Sequence, residues 1–407
     1  MSHANAGPVL SEATRALVRA SVPVLAEHGT LITTTMYRRL FQDASIRALF
    51  NQANQDGGSQ PAALAGAILA YARHIDDLGA LAGAVERMAQ KHIAYHILPE
   101  HYPSVANALL GAIGEVLGEA ATPELLAAWG EAYWFLADLL IAREAAIRAE
   151  IEADAGGWNG WRRFLVAERI VESELIVSFV LRPVDGGAVL PHKPGQYLTL
   201  RLATPDGEIK RNYSISCGPN ADHYRISVKR EAQGHGGSRF LHDAVAVGDS
   251  LEATPPSGDF FLPETPTRPV VLLSGGVGLT PMVSMLETIA ARHPQLETHY
   301  VHGTANSASH AMDAHVRRLA SGHVGMRVAS FYCEPGAGDA PGRTHDVDGL
   351  IDIGWLRANT PLDQADVYLC GPRPFLRRFV GELAAAGVPG ERIHYEFFGP
   401  SDEALAA

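Results

Sequence analysis

Apolar residues recur at helical spacing through the first third of the chain. Leu64, Ile68, Ala72 and Ile75 form one stripe, with Pro61 suited to a first helical position, where a missing N–H costs little. Val85, Met88 and His92 form a second. Tyr102-Pro103 opens a third helix, whose inner face carries Val105, Leu109, Ile113 and Val116 or Leu117. Thr122-Pro123-Glu124 reads as a cap, a first-turn proline and a first-turn acid. The helix it starts carries Trp129, Tyr133, Leu136, Leu140 and Glu144 on one side. No strand pattern precedes a linker around Asp154–Gly157.

After Trp158 the period shortens to two. The alternating run Tyr224–Lys229 and the turn signals Asp185-Gly186-Gly187 and Pro205-Asp206-Gly207 predict short antiparallel strands, as in a small β-barrel. From Pro269 the rhythm becomes strand, glycine turn, helix, strand. Val270–Leu273, His299–His302, Val328–Phe331 and Val367–Leu369 read as buried parallel strands of an α/β domain. The fold class is therefore multidomain: all-α, then antiparallel β-barrel, then α/β. The expected divisions are residues 1–150, a linker at 151–157, then 158–266 and 267–407.

Composition narrows the partners. Lys and Arg total 33 against 45 Asp and Glu, a net charge of −12, so no broad cationic face for nucleic acid is expected. The three cysteines, Cys217, Cys333 and Cys370, are too sparse for a disulfide framework or a cysteine-rich zinc site. Pro269–Leu286 is uncharged over about the length of a bilayer span. Four interruptions, Gly275, Gly276, Gly278 and Pro281, favour a buried strand, turn and helix instead. Arg15 and Arg19 interrupt the N-terminal region before any apolar stretch develops, so a cytoplasmic protein without stable membrane association is expected.

Two polar residues continue apolar stripes: His92 after Val85 and Met88, and Glu144 after Leu136 and Leu140. A buried carboxylate is costly unless a donor reaches it. An imidazole that binds iron through one nitrogen has an N–H on the other to offer. By itself His92 reads more readily as a core histidine with one ordinary hydrogen bond than as an iron ligand. His92 and His96 at i, i+4 suggest zinc, but no nearby third ligand completes a site.

In the second region, Arg211-Asn212-Tyr213-Ser214 sets a guanidinium, an aromatic ring and a hydroxyl along one strand. Those groups suit a pyrophosphate, a planar ring face and a ring nitrogen. Gly195-Gln196-Tyr197 precedes them, and Gly236-Gly237-Ser238 follows at a helix start suited to an anion. In the third region, Leu272-Leu273-Ser274-Gly275-Gly276-Val277-Gly278-Leu279-Thr280-Pro281 joins a strand to a helix through small residues that let backbone N–H groups approach a phosphate. Tyr368-Leu369-Cys370-Gly371-Pro372 repeats that design, and Tyr395-Glu396-Phe397-Phe398-Gly399-Pro400 lies near the end of the chain. Either glycine motif alone is equally a structural turn.

Together these residues resemble the bacterial flavohaemoglobins, in which a globin domain is fused to a ferredoxin reductase-like FAD/NAD module. The resemblance runs through all three regions to Gly399-Pro400. It implies that Ala89-Gln90-Lys91-His92 supplies the axial ligand of a haem b iron, with Tyr102 and Glu144 as the hydrogen-bonding partners of His92. Phe50, in Leu49-Phe50-Asn51, matches the phenylalanine packed on the haem. Tyr37 and Gln60 match the distal pair that contacts oxygen, with the apolar Leu64 beside them. Pro61 biases Gln60 away from helical geometry and towards a helix start, and Tyr37 reads equally as a core aromatic.

By the same resemblance Tyr197, Arg211, Tyr213, Ser214, Gly237 and Ser238 bind FAD. Gly275, Gly276, Gly278, Thr280, Pro281, Cys370, Gly371 and Pro372 match the nicotinamide-binding segments, and the cofactor-binding Glu396 belongs to the match to the family's C-terminus, where Phe398 would cover the flavin ring. Cys370 is expected near the nicotinamide as a contact and not as a nucleophile. No acid or arginine after His299–His302 decides between NADH and NADPH.

The implied activity is nitric oxide dioxygenation: NO and O2 become nitrate at a haem re-reduced by NAD(P)H through FAD. The alternatives are anaerobic NO reduction or another haem-linked reductase activity, and an oxygen-binding or gas-sensing haemoprotein. The expected partners are NO and O2, with no nucleic acid and no obligatory electron-transfer protein.

Overall fold

The computed structural model describes residues 10–47, 49, 59–231 and 236–398, with the side chains of Ser59 and Gln60 outside that description. The chain divides into two compact units between Ile151 and Glu152.

The first unit is helical: α1 (Glu12–Ala20), α2 (Val22–Leu40), α3 (Ala44–Arg47), α4 (Ser59–Arg73), α5 (Ala82–Ala94), α6 (Tyr102–Leu117) and α7 (Pro123–Ala153). The Tyr102 and Pro123 starts agree with the sequence, and Thr122 Oγ1 accepts the Leu125 N–H at 3.2 Å. One start differs. Pro61 lies in the first turn of α4 and not at its first position, and Gln60 is helical. First-turn N–H groups have no intrahelical acceptor, so a proline there breaks no helical bond. Ile75 is buried beyond the end of α4.

Helices α2 and α4 cross closely. Thr33 Oγ1 donates to the Pro61 carbonyl at 2.8 Å, and a Cβ at Gly29 would lie 3.4 Å from Ala65 Cβ. The unit buries two apolar clusters. One holds Met36, Tyr37, Ala72, Ile113 and Trp129; the other holds Ala89, Ile93, Tyr102, Leu140 and Ile147. Tyr133 and Leu136 pack against both. Among the described residues α7 is long and apolar enough to cross a membrane by length and composition. Trp129, Leu140 and Glu144 are among the residues it buries.

The second unit begins with β1 (Arg162–Val171), β2 (Ile176–Pro183), β3 (Tyr197–Thr204), β4 (Gly207–Ser214) and β5 (Tyr224–Lys229), then α8 (Gly237–Ala244) and β6 (Ser250–Ala253). These strands form an antiparallel sheet in the order β4-β3-β6-β1-β2-β5. The sheet curls on itself: a bridge between Ile215, just past β4, and Ile226 of β5 joins its edges. Its interior is lined by residues such as Phe164, Phe179, Leu198 and Tyr224.

The chain continues through β7 (Val270–Gly275), α9 (Leu279–Arg292), β8 (Thr298–Thr304), α10 (Asp313–Ser321), β9 (Met326–Tyr332) and β10 (Val347–Asp348). It ends with α11 (Ile353–Asn359), β11 (Asp366–Cys370), α12 (Arg373–Ala385) and β12 (Ile393–Glu396). The strands form a parallel sheet in the order β10-β9-β8-β7-β11-β12, covered on both faces. From β7 the chain adds strands on one side, then returns to place β11 on the other. The topological switch point, the usual ligand crevice of such sheets, therefore lies between β7 and β11.

Candidate functional site

His92 sits near the C-terminal end of α5, where the helix closes with a left-handed residue. His96 has φ 54°, and the Ile97 N–H donates back to the His92 carbonyl at 2.8 Å. Such a cap normally uses glycine. The described residues contain no group of three His, Cys, Asp or Glu side chains able to hold a metal ion. The i, i+4 spacing of His92 and His96 spans the end of the helix.

The His92 ring meets two partners through one atom. Nδ1 lies 2.6 Å from Glu144 Oε1 and 3.0 Å from the Tyr102 hydroxyl. Tyr102 itself donates to Glu144 Oε1 at 2.5 Å. Glu144 is fully buried. A carboxylate there requires Nδ1 to carry the proton, which leaves the lone pair on Nε2. Burial, reinforced by the Glu144 bond, pushes the Tyr102 phenol well above its ordinary range, so it remains a donor. One imidazole lone pair backed by a buried carboxylate fits an iron held by a single protein ligand.

Two further residues support this group. The Tyr133 hydroxyl donates to the Tyr102 carbonyl at 2.8 Å. Arg148 donates to the Ile97 carbonyl, and its Nη2 lies 3.7 Å from Glu144 Oε2. Arg148 falls one turn after Glu144 on α7, so a cation paired with a stripe-interrupting acid was the available signal.

Tyr37 is buried in the cluster against which Leu64 packs. Tyr37 lies one turn beyond Thr33, and Leu64 lies close to Pro61, so the Thr33–Pro61 bond brings their segments together. Phe50 and the Gln60 side chain lie outside the described residues.

In the second unit, Arg211 and Tyr213 are two apart on edge strand β4 and share a face. The start of α8 packs against them. A Cβ at Gly237 would come within 2.9 Å of Arg211 Cγ and 3.3 Å of the Tyr213 hydroxyl. Glycine thus lets the free N–H groups of a helix start approach a guanidinium and a ring, a cradle suited to a phosphate-bearing aromatic ligand. Burial raises the Tyr213 phenol. Ser214 is buried opposite Tyr197 in the β3–β4 register. Ser238 Oγ accepts the Glu231 N–H at 3.2 Å.

The two glycine motifs meet at the switch point. A Cβ at Gly278 would collide with the Cys370 carbonyl and lie 2.7 Å from the Gly371 nitrogen. One at Gly371 would lie 2.8 Å from the Phe375 ring and 3.2 Å from the Gly275 nitrogen. One at Gly275 would lie 3.3 Å from Pro372 Cδ. Gly276 has φ 54°, which favours glycine. Thr280 Oγ1 donates to the Val277 carbonyl at 3.1 Å, and Pro281 is buried in the first turn of α9. Cys370 is fully buried, with Glu396 opposite it in the β11–β12 register. Burial first, then Glu396, holds its thiol well above the ordinary value, which favours the neutral thiol. Phe398 follows β12 and is 45% exposed.

Residues 31–140 match the globin family, and residues 272–380 match the oxidoreductase NAD-binding domain. The flavohemoprotein of Xylella fastidiosa (strain 9a5c) is 61% identical over 393 residues, covering 96% of this chain and 97% of that one. This chain belongs to the flavohaemoprotein family.

The flavohaemoprotein architecture extends to three dimensions. A crystal structure of flavohemoglobin from Malassezia yamatoensis with bound FAD and heme superposes with a TM-score of 0.85 at 29% identity, covering 96% of this chain and 100% of that one. The FAD/NAD-binding domain of a nitric oxide dioxygenase from Vibrio cholerae aligns with a TM-score of 0.53 at 38% identity, over 59% of this chain and 99% of that one. The helical unit of this flavohaemoprotein is thus a globin, and its second unit is a ferredoxin reductase-like oxidoreductase module.

Proposed function

We propose that this chain is a cytoplasmic nitric oxide dioxygenase that carries haem b and FAD and uses NADH or NADPH. Its overall reaction takes two NO, two O2 and one NAD(P)H to two nitrate, one NAD(P)+ and one proton. We assign residues 1–150 to haem, 158–266 to FAD and 267–407 to the nicotinamide coenzyme, with a linker at 151–157 whose first three residues complete α7. When bound, these groups pass the electron pair of NAD(P)H through the flavin as single electrons to iron, where the gases react.

The chain's own residues hold and orient. His92 would hold the haem iron through Nε2, because its Nδ1–H donates to Glu144 and Tyr102 steadies that acceptor. That arrangement makes His92 a stronger donor than an imidazole bonded to a neutral group. Tyr37 and Gln60 would contact iron-bound oxygen, with the apolar Leu64 beside them and Phe50 packing on the haem. Arg211 binds the flavin pyrophosphate with the α8 start at Gly237 and Ser238. Tyr197 and Tyr213 flank the flavin, Ser214 bonds its ring, and Phe398 covers it. The paired glycine turns seat the coenzyme, with Glu396 facing the same crevice. With both redox modules on one chain, no separate electron-transfer protein is required.

The His92–Tyr102–Glu144 triad carries this reading. The test is aerobic NO consumption by the full chain with NADH or NADPH. His92→Ala is expected to abolish nitrate formation while flavin reduction by the coenzyme persists. Undiminished nitrate formation by that variant would sink the proposal.

A further inference from the structure

Helix α9 starts at the glycine turn Gly276–Gly278 and then carries Ser284 and Glu287 three residues apart on one face. Both reach the barrel. Ser284 Oγ donates to the Cys217 carbonyl at 2.7 Å, and His192 Nε2 lies 3.0 Å from that same oxygen. Glu287 Oε2 accepts the Gly218 N–H at 2.6 Å. Its other oxygen accepts from Arg225 Nη2 and from His315 Nε2, each at 2.8 Å. Three donors thus converge on one carboxylate from the loop after β4, from β5 and from α10. A Cβ at Gly218 would lie 3.2 Å from Glu287 Cβ, so the loop and the helix touch there.

Cys217 and Gly218 follow Ser214 on the same short segment that leaves β4. The helix that opens at one cofactor motif is therefore bonded to the chain that leaves the other. An apolar seam already holds the lobes together: Ile176 of β2 shares a core with Leu279, Met282 and Leu286 of α9. Apolar packing does not specify register, whereas hydrogen bonds to a fixed carboxylate do. Burial alone would raise Glu287, but His315, Arg225 and the Gly218 amide outweigh it and hold the carboxyl below its ordinary value.

We propose that Glu287, seconded by Ser284, is a positioning residue that sets the flavin strand against the nicotinamide turn without binding either cofactor. It rests on the reading of the second unit as a flavin–nicotinamide pair. The step it serves is NAD(P)H + FAD + H+ giving NAD(P)+ + FADH2. Effective rates of such steps are sensitive to misplacement of about 1 Å, which can cost on the order of 100-fold.

The experiment is anaerobic stopped-flow bleaching of the flavin in the full holoenzyme at varied NADH, paired with hydrogen exchange at the Gly218 amide without coenzyme. Glu287→Ala is expected to lower the limiting rate by about tenfold or more. Half-saturation by NADH and flavin content should stay within about twofold of wild type, and Gly218 should exchange faster. Glu287→Gln keeps an acceptor for Gly218, so it should recover part of both effects, and it carries the test if the alanine variant loses flavin. A wild-type limiting rate in both variants overturns the proposal, as does, in Glu287→Gln, a loss carried by half-saturation or by flavin content. If NADH and NADPH fail to bleach the wild-type flavin, the underlying reading falls and takes this one with it.

Discussion

Gly278 lies against the backbone of Cys370, so closely that a side chain at 278 would occupy the space of the Cys370 carbonyl. The two glycine motifs of the second unit are thus parts of one structure, each shaping the other at the ends of β7 and β11.

Gly278→Ala should therefore destabilise the second unit by about 1–3 kcal/mol, the usual cost of overpacking a fixed backbone. Thermal unfolding of the full chain measures it. A Cβ at Gly276 meets nothing, and its φ of 54° is the only obstacle. Gly276→Ala should cost about 1 kcal/mol. Equal stability of Gly278→Ala and wild type would refute the mutual packing.

Glu144→Gln leaves an acceptor for Nδ1 and for Tyr102 but removes the charge that makes His92 a strong donor. Haem content is expected to stay within about twofold, while aerobic NO consumption falls about 10–100-fold, as for other partners of metal-bound histidines. Haem-to-protein ratio and turnover measured on one preparation decide it. Parallel losses would reduce Glu144 to a structural role.

Acid should weaken the second unit. Burial lowers His192 from 6.5 to about 4 and His302 well below 6.5. Both folded values lie below the unfolded one, so the unfolded chain binds protons that the folded chain refuses. Stability is intact above about pH 6.5 and falls as pH drops towards 4, by up to about 3 kcal/mol for His192. Melting temperature against pH should decline across that window, and His192→Gln should flatten part of the decline. A flat profile would contradict it.

Much of this was legible in the amino-acid order. Tyr224–Lys229 alternates cleanly and forms β5 with those bounds. The strand-glycine-helix rhythm located β7 and α9 because both faces of that sheet are covered, leaving uncharged runs. His92 and Glu144 stood out as polar interruptions of apolar stripes, and they meet. Strand β10 escaped because two residues carry no periodicity, and β12 because its residues read as a terminal motif. The start of α4 escaped because a proline was assigned the first position when any first-turn position serves. Arg148 and Glu287 look like ordinary charges on helix faces. For Glu287 the available signal was a carboxylate in a helix whose other positions are nearly all buried.

One chain that binds haem through His92 should reduce it through its own flavin. The most direct test is the absorbance spectrum of the purified holoprotein under CO without oxygen, before and after NADH or NADPH, with no other protein added. Flavin bleaching followed by the ferrous–CO Soret band is expected in wild type, and flavin bleaching without that band in His92→Ala. A reduced flavin beside a haem that stays ferric in wild type would contradict it.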